Sequence, residues 1–268
     1  MWLASPNLQN DKEVVLTAVK NNGFALRYAS PTLQNDKEIV LEAVKQNGKA
    51  LDYADINLQN DKEVVLEAVL QNADLHYIKP ILQNDKEFIL AAVKRNGLLL
   101  WSANRNIQND KEVVLTAVKQ NGRALRCASS TLQNDKEVVL EAVKKCGIAL
   151  EYSRSSAQNN KEIVLTAVKQ NGLSLLYAGK SLKDDKEVVL TAVKNCGIAF
   201  KYSSPNLKNN KEIALEAVKQ NGLSLLYADA ELRNDKEVVL AAIKQNCFSI
   251  QYVSKELQND QEILNLIV

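Results

Sequence analysis

The chain says nearly the same thing every 25 residues, and that period constrains its fold more than any other feature. "LQNDKEVVLTAVKNNGFALRYASPT" runs from Leu8 to Thr32, and "LQNDKEIVLEAVKQNGKALDYADIN" follows from Leu33 to Asn57. Aligned on Asn-Asp-Lys-Glu, units open at Leu8, Leu33, Leu58, Leu82, Ile107, Leu132, Ala157, Leu182, Leu207, Leu232 and Leu257, with one 24-residue step in the third. That makes a partial repeat over 1–7, ten full repeats over 8–256 and a partial repeat over 257–268. Units this short cannot bury an apolar face alone, so neighbours must stack. The chain reads as a single continuous array over 1–268.

The first unit can be read as physics. Asn10 is placed to cap a helix, and Glu13, three residues on, to return a bond in a capping box. Asp11 adds negative charge at the positive end of the helix dipole. Val15, Leu16, Ala18 and Val19 form an apolar face at helical spacing. Ala18 recurs as Ala in all ten full repeats, which marks a close approach. Lys20 falls in the last turn, and Asn22-Gly23 predicts a left-handed helix end. A second apolar element follows at Ala25, Leu26, Tyr28 and Ala29. A polar turn closes the unit, with proline at Pro6, Pro31, Pro80 and Pro205. The β-branched "EVVL" admits a strand, and a leucine-rich repeat has a similar length. The LxxLxLxxN pattern is absent, however, and the end signals favour a helix. The fold class that follows is all-α: a helix-turn-helix solenoid, an α-α superhelix of about ten 25-residue repeats. The third repeat, "QNADLHY", lacks the glycine and predicts a kink at Asn72 to Asp74.

Units of the form N-D-K-E-V-V-L-x-A-V-K-Q-N-G-x-A-L-x-Y-A-S resemble the tandem repeats of the domain of unknown function 4116 family, over essentially the whole chain. The resemblance implies a repeat scaffold of the kind borne by bacteria living in amoebae and other hosts, and by some protists. It implies protein contacts, in the manner of a bacterial effector, and carries no catalytic residues to transfer.

Charge and cysteine usage narrow the classes. Thirty-four Lys and Arg stand against 32 Asp and Glu, and the +2 balance argues against nucleic acid as a partner. No apolar run approaches the roughly 18 residues of a membrane span, and the start reads as repeat rather than as a signal peptide. Cys146 and Cys196 share one repeat position 50 residues apart. Two stacked repeats separate them by roughly 20 Å, whereas a disulfide needs about 7 Å. With Cys127 and Cys247 they read as four separate thiols in a reducing, cytoplasmic setting; delivery into a host cell is not legible in the residues. The closing "LIV" shows no polar cap, which invites end-to-end self-association.

The candidate sites are repeat positions. All eight tyrosines fall at one of them: Tyr28, Tyr53, Tyr77, Tyr152, Tyr177, Tyr202, Tyr227 and Tyr252. They read as packing residues between units before they read as a stacking ladder. Lys20 recurs as Lys45, Lys94, Lys119, Lys144, Lys169, Lys194, Lys219 and Lys244. Glu42, Glu67, Glu141 and Glu216, three residues earlier, predict pairing that neutralises this row. A nucleic-acid binder using the Lys and Tyr ladders is the rival reading. The position before the tyrosine varies most: Trp2, Arg27, Asp52, His76, Trp101, Arg126, Glu151, Leu176, Lys201, Leu226 and Gln251. A fixed scaffold with one diversified stripe suits a binding surface, and Trp and Arg are typical anchors. The stripe residues Arg27, Asp52, His76, Trp101, Arg126, Glu151 and Lys201 are the expected protein contacts. No nucleophile–base pair, phosphate loop or metal spacing is present, so no catalytic residue, cofactor or metal is expected and the chain reads as no enzyme.

Overall fold

The structure, a computed structural model, describes residues 5–71 and 78–266. Every regular element among them is helical. The chain forms two compact units, Met1–Gln120 and Asn121–Val268, each an all-α helical repeat solenoid.

Each fully described repeat contributes three pieces where the sequence suggested two. An α-helix comes first, as at Lys37–Gln46; a six-residue 3-10 helix follows, as at Gly48–Tyr53. The "polar turn" is itself a single turn of helix, α at Pro31–Gln34 and 3-10 at Leu58–Asn60. Proline at the first position, whose N–H a helix start does not use, favours the α form.

Ten-residue helices are marginal alone, so packing must hold them. Ile39, Val40, Ala43 and Val44 of one long helix and Leu51 of the 3-10 helix after it are fully buried, and the same positions repeat in both units. Within each unit, long helix packs on long helix and 3-10 helix on 3-10 helix of the next repeat. The β-branched "EVVL" stays helical because burial outweighs its modest propensity cost.

The helix ends differ from the expectation by one residue. Asp11, not Asn10, is the N-cap, and its carboxylate accepts from the N–H of Glu13 at 3.0 Å and of Val14 at 3.1 Å. Asn10 instead closes the preceding turn, and its side chain accepts from Ser30, where the turn at the end of the same repeat begins, at 2.7 Å. Asn-Asp offers two good caps in a row, and the helical turn before it claims the first. Gly23 is not a left-handed cap either. Its neighbour Asn22 is extended and caps the 3-10 helix through Phe24 N–H at 3.0 Å. Glycine is required by crowding: a Cβ on Gly23 would lie 2.4 Å from the carbonyl oxygen of Ala43 in the next repeat. The expected kink at Asn72 to Asp74 lies outside the described residues.

The seams between repeats are built alike within each unit. The turn that opens a repeat is tied to the turn that closes it: Ser30 N–H donates to Gln9 C=O at 2.9 Å, and Gly179 N–H to Gln158 C=O at 2.8 Å. Lys12 reaches forward to Asp36 at 2.8 Å and Glu38 at 2.9 Å, and Lys211 likewise to Asp235 and Glu237. The carboxylates raise the Lys12 pKa to about 12. Where the Asp position is Asn, as at Asn160 and Asn210, the lysine keeps only the glutamate: Lys136 with Glu162, Lys186 with Glu212. The recurring Glu13 position therefore serves the seam rather than a capping box. These pairs are exposed and add little stability singly; what they fix is the register of one repeat on the next.

Candidate functional site

Every described member of the variable stripe is exposed: Arg27, Asp52 and Trp101 in the first unit, and Arg126, Glu151, Leu176, Lys201, Leu226 and Gln251 in the second. Trp101 leaves 54% of its surface open. His76 and Trp2 lie outside the described residues, as does Tyr77. The 3-10 helix explains the exposure. Leu51 and its equivalents anchor the inner side, which turns the next residue outward.

The same geometry adds a position that the variable-stripe reading missed. Residues i and i+3 eclipse on a 3-10 helix, so the residue after the glycine shares the outer face with the stripe. The pairs are Phe24 with Arg27, Lys49 with Asp52, Leu98 with Trp101, Arg123 with Arg126, Ile148 with Glu151, Leu173 with Leu176, Ile198 with Lys201, Leu223 with Leu226 and Phe248 with Gln251. This position also varies, and that was the signal available in the sequence. Phe24, Leu98, Trp101, Leu176, Ile198, Leu226 and Phe248 make up over half of the large apolar side chains that are exposed among the described residues.

The backbone beneath is held firmly. In several repeats the glutamine opening the following turn donates to the last carbonyls of the 3-10 helix: Gln34 to Leu26 and Arg27, Gln108 to Trp101 and Gln133 to Arg126, between 3.2 and 3.4 Å. Lys183, Lys208 and Arg233 replace it in three repeats; of these Lys183 donates to Leu176 C=O at 2.7 Å, where burial lowers its pKa.

Stripe and tyrosine row, separate in the sequence, are one surface. The Arg27 guanidinium carbon sits 5.9 Å from the Tyr28 ring centre and 5.8 Å from that of Tyr53 in the next repeat. Lys201 Nζ lies between Tyr202 and Tyr227 at 5.8 and 5.9 Å. Each cation gains from both ring faces. Glu151 takes the same place beside Tyr177, whose pKa rises through burial and then through that carboxylate, which accepts its hydroxyl. Phe24 meets Tyr53 edge-to-face at 6.2 Å, and with Arg27 and Tyr28 they border a concavity of about 530 Å³. The tyrosines thus do pack between repeats while keeping a half-exposed edge.

The lysine row departs from the expected pairing. Among the described residues only Lys144 meets its glutamate three residues back, Glu141, at 2.8 Å. Glu67 turns to Arg95 of the next repeat at 2.9 Å. All four cysteines are free thiols; Cys146 and Cys196 take the asparagine place that caps the 3-10 helix but accept no cap bond. Among the described residues no cluster of three or more His, Cys, Asp or Glu is arranged to hold a metal, and no helix is long and apolar enough to cross a membrane.

Comparison with curated proteins and with solved structures returned no match. The model of the family described as "Domain of unknown function (DUF4116)" matches residues 2–34, 36–83, 61–108, 110–156, 160–208, 185–233, 210–258 and 235–268 in overlapping tandem segments. The chain therefore belongs to the DUF4116 family.

Proposed function

We propose that the chain is a non-enzymatic scaffold that binds another protein through the outer face of its 3-10 helices. One observation carries the reading: the positions that diversify are those the fold turns outward, and they hold over half of the exposed large apolar side chains. Neutral drift at exposed sites favours polar residues; an apolar and aromatic face, on a backbone clamped by the glutamine row, is what an interface uses. Binding is additive over repeats, so affinity depends on several adjacent units. The setting that the family resemblance implies is a host-associated bacterium, with a host protein as the partner.

The test is capture from host and bacterial lysates with wild type and with Trp101→Ala/Arg126→Ala. The expected result is a protein retained by wild type and lost with the double variant at unchanged helicity. Capture that persists in the variant refutes the role of this face. Nucleic acid in the eluate, released by moderate salt, moves the function to the lysine row, which is largely without ion-pair partners and so is the rival site.

A further inference from the structure

We propose that the face formed by the 3-10 helices from Gly147 to Tyr252 takes a proline-rich segment in the polyproline II conformation, with acidic residues at the end over Arg123 and Arg126. This rests on the reading above that the face contacts protein, and specifies the chemistry of the occupant.

Three observations select that occupant. The first is continuity. Ser102 and Cys127 interrupt the tyrosine row, which then resumes unbroken from Tyr152 to Tyr252. Over the same repeats the outer face turns apolar, with Leu176, Ile198, Leu226 and Phe248 exposed, and consecutive 3-10 helices pack on one another throughout. Aromatic edges alternating with apolar side chains form the kind of groove in which proline-rich helices dock.

The second is spacing. Helices packed side by side recur every 8–10 Å or so. A polyproline II turn of three residues advances about 9.3 Å and presents the same face at each turn. An extended strand presents one face every two residues, about 6.6 or 13 Å. An α-helix returns after seven residues, about 10.5 Å, with a drift of about 20° each time. One polyproline turn per repeat is the match that needs no adjustment. Its backbone makes no internal hydrogen bonds, so its carbonyls need donors, and a row of phenols supplies them. Tyr177 already gives its hydroxyl to Glu151, so the other tyrosines carry that role.

The third is charge. Arg123, Arg126 and Lys201 are exposed on this face against Glu151 alone. The excess is positive and concentrated at one end, which calls for acid at the matching end of the partner.

The experiment is fluorescence anisotropy with the full chain and a fluorescein-labelled peptide, Glu-Glu followed by four Pro-Pro-Leu triplets, and its counterpart with the glutamates at the other end. A third peptide has every proline replaced by alanine, which favours an α-helix. One of the proline peptides should bind, the alanine peptide at least tenfold more weakly. Leu176→Asp/Leu226→Asp, at exposed sites that leave helicity unchanged, should weaken the proline peptide at least tenfold. Tyr202→Phe/Tyr227→Phe keeps the rings and should weaken it severalfold through the hydroxyls alone. Equal or tighter binding of the alanine peptide, lost in the leucine variant, overturns the polyproline occupant while upholding the face as a protein surface. Absence of binding by either proline peptide, or binding that the leucine variant leaves intact, overturns the inference; the broader reading then stands or falls on the capture experiment.

Discussion

Gly172 to Ala tests how the repeats are held together. A Cβ at this position would lie 2.3 Å from Ala192 O, 2.9 Å from Cys196 Cβ and 3.1 Å from Cys196 N, all in the next repeat. Two of those atoms are backbone and cannot swing aside. The glycine N–H also donates to Asn195 Oδ1 of that repeat at 2.7 Å, so a shift that relieves the clash strains this bond. Overpacking a tight interior costs about 1–3 kcal/mol, and a clash with backbone belongs at the upper end. The unfolded chain loses freedom with alanine, which offsets about 0.4–1 kcal/mol. The net expectation is a loss of about 2–2.5 kcal/mol, read by urea unfolding followed by circular dichroism. Gly172→Asn separates the two explanations for this glycine. A left-handed helix end tolerates Asn, whereas a crowded seam rejects its larger side chain more strongly than alanine. A Gly172→Asn chain as stable as wild type would refute the close-packing account.

Three further outcomes follow from the same structure. Ser174 and Ser224 are fully buried with hydroxyls that find no partner, at a position where Ala25, Ala50, Ala124, Ala149 and Ala199 sit; Ser→Ala at either should stabilise by about 1 kcal/mol, the desolvation cost removed, as a higher thermal midpoint. Cys146→Asn and Cys196→Asn restore the cap that Asn171 makes to Leu173 N–H at 3.0 Å, and each should add about 0.5–1 kcal/mol, checked by the same urea titration. Asp85 and Asp110 are held below the ordinary carboxylate range, first by the lysines reaching them, Lys62 and Lys86, and also by the backbone N–H groups they cap. Their stabilisation is therefore complete above the unfolded value near 4 and is lost as pH falls through the lower folded values. Stability should be level from about pH 5 to 8 and decline below about 4, and Asp110→Asn should flatten that decline.

How much of this was legible depends on whether a residue acts within its own repeat. The long helix, its buried Val and Ala positions and the stacking requirement all follow from spacing along one unit. The roles assigned to Gly23, Glu13 and Lys20 were local ones, and the structure changes all three. Gly23 answers a carbonyl 20 residues ahead, the Glu13 position serves the lysine of the preceding repeat, and Lys20 mostly lacks the glutamate partner that sequence spacing suggested. Partners one period away are invisible to a pattern read along a single helix. The stripe was legible because variation itself marks it. Its second row, beginning at Phe24, was not, because the eclipsing of i and i+3 appears only once the segment is known to be 3-10 rather than α.

The uniform seams have a mechanical consequence. In the second unit the junctions at Gly147, Gly172, Gly197 and Gly222 rely on the same few fastenings: one backbone hydrogen bond between successive turns, one forward-reaching lysine and one glycine against a carbonyl. None of these four junctions is privileged, so a pull applied along them meets fasteners of nearly equal strength in series. Such a chain yields one repeat at a time, each releasing 25 residues, or roughly 80–90 Å of extended backbone. Its force trace would be an even sawtooth, and the protein would behave as an extensible tether that gives ground in fixed steps rather than failing at one weak point.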